Sequence, residues 1–96
     1  MSELLSAESI TSKLTEVPGW TRSGAALTAT WTFKGFNGAT QAANVVAFVA
    51  NKINHHPDIA VHDYNRLTIT VTSHDAGGIT ENDFKLASRV NALLNE

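Results

Sequence analysis

Cysteine is absent from this 96-residue chain, which excludes a disulfide framework and every thiolate metal site. Charged residues make up only 17% of it and the formal net charge is −2, with no basic cluster. Direct binding to nucleic acid or to an anionic membrane surface is therefore not implied. No apolar run approaches the roughly 20 residues that cross a bilayer. Met1-Ser2-Glu3-Leu4-Leu5 lacks the basic-then-apolar stretch of a signal peptide. The expectation is a soluble cytoplasmic protein without membrane attachment. Repeats, low-complexity segments and linkers are also missing, so residues 1–96 are read as a single domain. A chain this short can fold alone but gains from self-association.

What is present is periodic. Ser6 reads as a helix N-cap, with Glu8 in the first turn and Leu5 and Ile10 at hydrophobic-staple positions. Ile10, Leu14 and Val17 mark one helical face, which Pro18-Gly19 ends. A short strand is expected over 20–22, turning at Ser23-Gly24. Leu27, Ala29, Trp31 and Phe33 alternate with Thr28, Thr30 and Thr32, the pattern of a half-buried strand. Gly35 and Asn37-Gly38 interrupt it. From Ala39 the spacing predicts a helix on Ala42, Val46, Val49 and Ile53, widened by Ala43 and Ala50. Pro57 disfavours helical backbone at His56, so that helix should end near Asn54 or His55.

Ile59 and Val61 begin a third strand, Asn65-Arg66 is the expected turn, and Leu67, Ile69 and Val71 alternate with threonines in a fourth. Gly77-Gly78 permits a tight loop but lacks the lysine and glycine pattern of a phosphate loop. Thr80 and Asp83 have capping-box spacing, with Asp in place of Glu or Gln, ahead of a last helix on Phe84, Ala87, Val90, Leu93 and Leu94. The order α-β-β-α-β-β-α predicts an α+β two-layer sandwich: a four-stranded antiparallel sheet with helices on one face. Its open strand edges suit pairing between subunits.

The chemistry-bearing residues are histidines. His55-His56-Pro57 sits where the second helix must stop, and His74 lies just past the fourth strand. Histidine's unperturbed pKa lies nearest neutrality, which suits it to proton transfer. Each also has a plain explanation. Adjacent histidines can simply interact with the last carbonyls of a helix, and His62 reads as a solvated surface residue. Asp83 is a helix-start residue whatever else it does. Asn51 precedes His55 by one helical turn, so the two side chains are expected to meet. Zinc on three histidines is the lesser reading, because adjacent residues rarely aim both rings at one ion and no i,i+4 histidine pair exists.

Asn51-Lys52-Ile53-Asn54-His55-His56-Pro57, then Tyr64, His74 and Asp83, resembles the signature of the pterin-4a-carbinolamine dehydratases. That signature is an ionisable residue, His-His-Pro after three more, an aromatic after a short gap, a histidine further on and a later aspartate. The resemblance extends to Pro18-Gly19-Trp20, Trp31-Thr32-Phe33, Ala76-Gly77-Gly78-Ile79-Thr80 and Leu86-Ala87, and so covers nearly the whole chain. It implies the two-layer fold with an extra N-terminal helix, a homodimer or homotetramer, and dehydration of 4a-hydroxytetrahydropterin to quinonoid dihydropterin. That reaction recycles the pterin spent by aromatic amino acid hydroxylases, without metal or organic cofactor. By resemblance His55, His56 and His74 are catalytic. His55 and His74 would exchange protons with the departing hydroxyl, and His56 would orient the pterin and assist. Asn51, Asn54, Pro57, Ser73, Asp75, Ala76 and Asp83 would bind substrate. One departure stands out: the family most often has glutamate where this chain has Asn51, which offers a hydrogen bond without charge. The alternative from another class is a protein-interaction or assembly module on the same fold.

Overall fold

The fold is that of a computed structural model describing residues 3–95. Met1, Ser2 and Glu96 belong to the domain expected over 1–96, and the first two to the segment read for a leader; all three lie outside the described residues. The elements run α1 (Ala7–Leu14), β1 (Thr21–Ser23), β2 (Ala26–Thr32), α2 (Phe36–Ile53), β3 (Asp58–His62), β4 (Arg66–Val71) and α3 (Glu81–Leu94), in the expected order. The strands form one antiparallel sheet in the order β1-β2-β4-β3.

Strand alternation sets the two faces. Leu27, Ala29, Leu67, Ile69 and Val71 are buried together with Ala42, Val46, Val49 and Ala50 of α2 and Phe84, Leu86, Ala87 and Val90 of α3. The opposite face is threonine. Thr28 pairs with Thr70 and Thr30 with Thr68 in register, and their hydroxyls are 3.1 and 2.8 Å apart. Cross-strand hydroxyl pairs of this kind contribute roughly 0.2–1 kcal/mol each.

Four boundaries differ from expectation, each for a local reason. Helix α1 stops at Leu14, and the N–H groups of Thr15, Glu16 and Val17 reach back three residues instead of four. Val17 therefore enters the core from a tightened turn. Strand β1 begins one residue late because Trp20 is buried, with Nε1 donating to Asn91 Oδ1 at 2.8 Å. Helix α2 starts three residues early: Gly35 is its N-cap, and Gly38 lies inside the first turn against Phe33, where an added Cβ would come within 3.3 Å of the Phe33 Cβ. The glycine serves close packing and does not break the helix. The β3–β4 connection turns at Asp63 and Tyr64, both with positive φ, while Asn65 continues the ladder by pairing with the Phe33 backbone.

Leu67 is fully buried at the centre of the sheet. Leu67→Ala should lower unfolding free energy by about 2–5 kcal/mol, the range for removing a buried leucine side chain. Urea denaturation checks this, and a loss below about 1 kcal/mol would contradict the packing described.

Candidate active site

Helix α2 ends in a left-handed residue, and that ending places the histidine pair. Asn54 has φ 55° and ψ 44°; its N–H bonds the Asn51 carbonyl, and the His55 N–H bonds the Ala50 carbonyl at 3.1 Å. These two bonds are those of a Schellman ending, in which Asn is the common substitute for Gly. The reversal sends His55 and His56 to different partners. His55 Nε2 lies 2.7 Å from Asp83 Oδ1, while His56 Nε2 lies 2.9 Å from Asn51 Oδ1. The expected meeting of Asn51 with His55 therefore does not occur. Past the end of the helix the i,i+4 relation is broken, and Asn51 partners the exposed His56.

Asp83 is the buried element of the group. It is 0% exposed and both of its oxygens are occupied. Oδ2 accepts from the Thr80 N–H at 2.8 Å, completing the capping box of α3, and from Ser73 Oγ at 2.9 Å. Shortening Glu to Asp at this position leaves the box intact. Ser73 Oγ is also 2.8 Å from Thr80 Oγ1. No buried side-chain nitrogen or oxygen among the described residues lacks a partner.

The loop that carries His74 is fixed to the same carboxylate. Ser73 forms a bridge with Gly78, and its carbonyl accepts from the N–H groups of Ala76, Gly77 and Gly78. Gly77 takes the left-handed conformation this turn needs, with φ +80°. His74 and Asp75 are exposed and Ala76 is half-buried. His74 makes no side-chain hydrogen bond to any described residue, and its Cα follows that of Ser73 by about 3.8 Å along the chain. Pro57, half-buried, leads into β3.

One carboxylate thus connects the end of α2, the end of β4 and the start of α3. His55 and the His74 loop share it directly; Asn51 and His56 form a separate exposed pair. Ser73 and Asp83 sit inside this frame, at 1% and 0% exposure, so their side chains support the site from behind. Tyr64 lies elsewhere. Its hydroxyl stands beside Gly35, at the end of α2 opposite His55, and an 18-residue helix is about 27 Å long. His62 is likewise at the far hairpin; it bonds Asp63 at 2.7 Å and Thr68 at 2.6 Å, so it is held on both ring nitrogens instead of merely solvated. Sequence spacing missed the hydroxyl of Thr80. Its capping position was legible, but its contact with Ser73 is tertiary. No group of three or more His, Asp or Glu among the described residues is placed to hold a metal ion.

The Pterin 4 alpha carbinolamine dehydratase family model matches residues 3–93. The chain belongs to this family. A relative from Thermomicrobium roseum, provisionally named a pterin-4-alpha-carbinolamine dehydratase, is 46% identical over 86 residues, covering 90% of this chain and 91% of the relative. Among solved structures, a transcriptional coactivator/pterin dehydratase from Brucella melitensis superposes with a TM-score of 0.84 at 32% identity, covering 92% of this chain and 95% of that one. A pterin dehydratase-like protein described as a RuBisCO assembly factor in the alpha-carboxysome shares the fold, with a TM-score of 0.60 at 22% identity over 80% of this chain and 88% of that one.

Asn54 separates backbone from ligand roles in this family member. Asn54→Gly should leave stability unchanged within about 0.5 kcal/mol, while Asn54→Ala should lose roughly 1–2 kcal/mol from the left-handed conformation. Thermal unfolding of the two variants checks this. Equal losses would show that the side chain, not the backbone, holds the turn.

Proposed function

We propose that this protein dehydrates 4a-hydroxytetrahydropterin to quinonoid dihydropterin, with His55 and His74 exchanging protons and His56 orienting the ring. The observation that carries this reading is the 2.7 Å contact of His55 with buried Asp83, whose other oxygen holds the residue preceding His74. Carbon 4a loses its hydroxyl as water once that oxygen gains a proton, while the lone pair of the adjacent ring nitrogen forms the new double bond. That nitrogen then gives up its own proton, so one proton is supplied and one recovered. Positioned acid–base groups contribute typically about 10²- to 10⁴-fold to such a step. Exposed backbone around Asp75 and Ala76, with Pro57, Asn51 and Asn54, would read the flat amide-like edge of the pterin. We place the enzyme in the cytoplasm as a homodimer or homotetramer that recycles the pterin of an aromatic amino acid hydroxylase, with no metal or organic cofactor.

A second reading, an interaction or assembly module, is favoured by a different surface. A groove of about 650 Å³ between α2 and α3 is floored by Phe48, Val49 and Leu93 and flanked by Lys52, Lys85 and Arg89. Phe48 is 63% and Leu93 55% exposed, and none of the histidines lines this groove.

Dehydration of 4a-hydroxytetrahydropterin generated in place distinguishes the two. The wild type should exceed the spontaneous rate, and His55→Ala and His74→Ala should each return most of the way to it. A wild type no faster than background would overturn the enzyme reading in favour of the module. A chelator should leave the rate unchanged; loss on chelation would overturn the metal-free route.

A further inference from the structure

Hydrogen counting gives the buried network a direction. An ionised Asp83 can only accept. Oδ1 therefore takes the hydrogen of His55 Nε2, and Oδ2 those of the Thr80 backbone and the Ser73 hydroxyl. Ser73 has one hydroxyl hydrogen and spends it on Asp83, so in its 2.8 Å contact with Thr80 the Thr80 hydroxyl must be the donor. Thr80 Oγ1 in turn accepts from the Asn82 N–H at 3.2 Å. Every hydrogen in the chain Thr80, Ser73, Asp83 points towards the carboxylate, and His55 donates to the same carboxylate from the other side. Such a chain polarises cooperatively, and it leaves His55 one tautomer: hydrogen on Nε2, with Nδ1 left to work. Nδ1 has no partner among the described residues and is not sealed off, since no buried side-chain nitrogen goes unpaired.

We propose that Ser73 is a positioning residue for His55, acting through Asp83, with Thr80 orienting the Ser73 hydroxyl. On this assignment Nδ1 of His55 is the atom that exchanges the proton, and Ser73 touches no substrate through its side chain. A capping box asks of the Asp83 carboxylate only that it accept the Thr80 N–H; the Ser73 hydroxyl and the His55 contact go beyond it. The kinetic part of the proposal rests on the dehydratase reading above, and the tautomer part does not.

The test pairs ¹⁵N NMR of the neutral imidazoles with steady-state kinetics in the wild type, Ser73→Ala and Ser73→Thr. The wild type should show His55 with hydrogen on Nε2 and a bare Nδ1. Ser73→Ala leaves Oδ2 held by the Thr80 N–H alone, so the carboxylate is freer to turn from His55; the two tautomers should mix and kcat should fall roughly 10- to 100-fold, the scale seen for hydrogen-bond partners behind metal-bound histidines. KM should stay within about twofold, since substrate contacts are unchanged, and Ser73→Thr should restore both readouts. If Ser73→Ala does not fold, Ser73→Cys carries the same comparison, because a thiol fills the same place with a much weaker donor. A folded Ser73→Ala with an unchanged tautomer overturns the proposal, as does a wild-type His55 protonated on Nδ1 alone. A tautomer shift in a protein without dehydratase activity supports the positioning role and overturns the enzyme reading instead.

Discussion

A carboxylate with no solvent exposure governs the arrangement of this small protein. Moving such a group out of water costs several kcal/mol even after relaxation, and only close donors offset that. Asp83 obtains three of them, from three places in the chain: a backbone N–H in its own capping box, a hydroxyl beyond β4 and an imidazole beyond α2. Removing one partner of a buried pair typically costs about 3–5 kcal/mol, because the remaining charge is left without compensation. The termini of three elements are thereby held in one geometry. The sheet and helices fill the core, but the carboxylate decides how their ends meet.

The second constraint is the backbone reversal at Asn54. Had α2 continued, Asn51 and His55 would lie one above the other, and His55 would point along the helix. The left-handed residue instead turns the chain before His55, and Pro57 disfavours a return to helical backbone at His56. Two neighbouring imidazoles are thus separated, one onto a buried acid and the other onto an exposed amide. With the Asn51 oxygen as acceptor, His56 too carries hydrogen on Nε2. The same nitrogen, Nδ1, is left without that bond in both rings. A glutamate in place of Asn51 would bring its charge to His56, the ring expected to orient substrate, and not to His55.

Most of the architecture is legible in the sequence because alternation and helical period are local. The threonine alternations in β2 and β4, the Ser6 cap and the Thr80-Asp83 box all recur in the structure at the positions read for them. The features that resist such reading are tertiary. Gly38 looks like a breaker until Phe33 is seen packed on it. Tyr64 occupies a left-handed turn position that its bulk disfavours, so residue preferences point to a turn later in the chain than the real one. The candidate site was legible as a set of residue types at family spacing, but not as a wiring. Which histidine meets Asn51 depends on one φ angle, and that Ser73 faces inward follows from its bridge to Gly78.

The two functional readings ask for different parts of the molecule. An interaction module needs only its outer faces, such as the groove between α2 and α3. For it the buried acid serves only to hold the element ends together, and burying such a pair is often no more stabilising than a well-packed apolar substitute. The capping of α3 accounts for one oxygen of Asp83 and leaves the other unexplained. That second oxygen is on His55, whose remaining nitrogen is left unpaired and not fully buried, and the same carboxylate anchors the loop of His74. A device that fixes one tautomer of an imidazole suits proton transfer. The buried network therefore weighs towards catalysis, and the apolar groove, which shares no residue with it, leaves room for association without competing for the site.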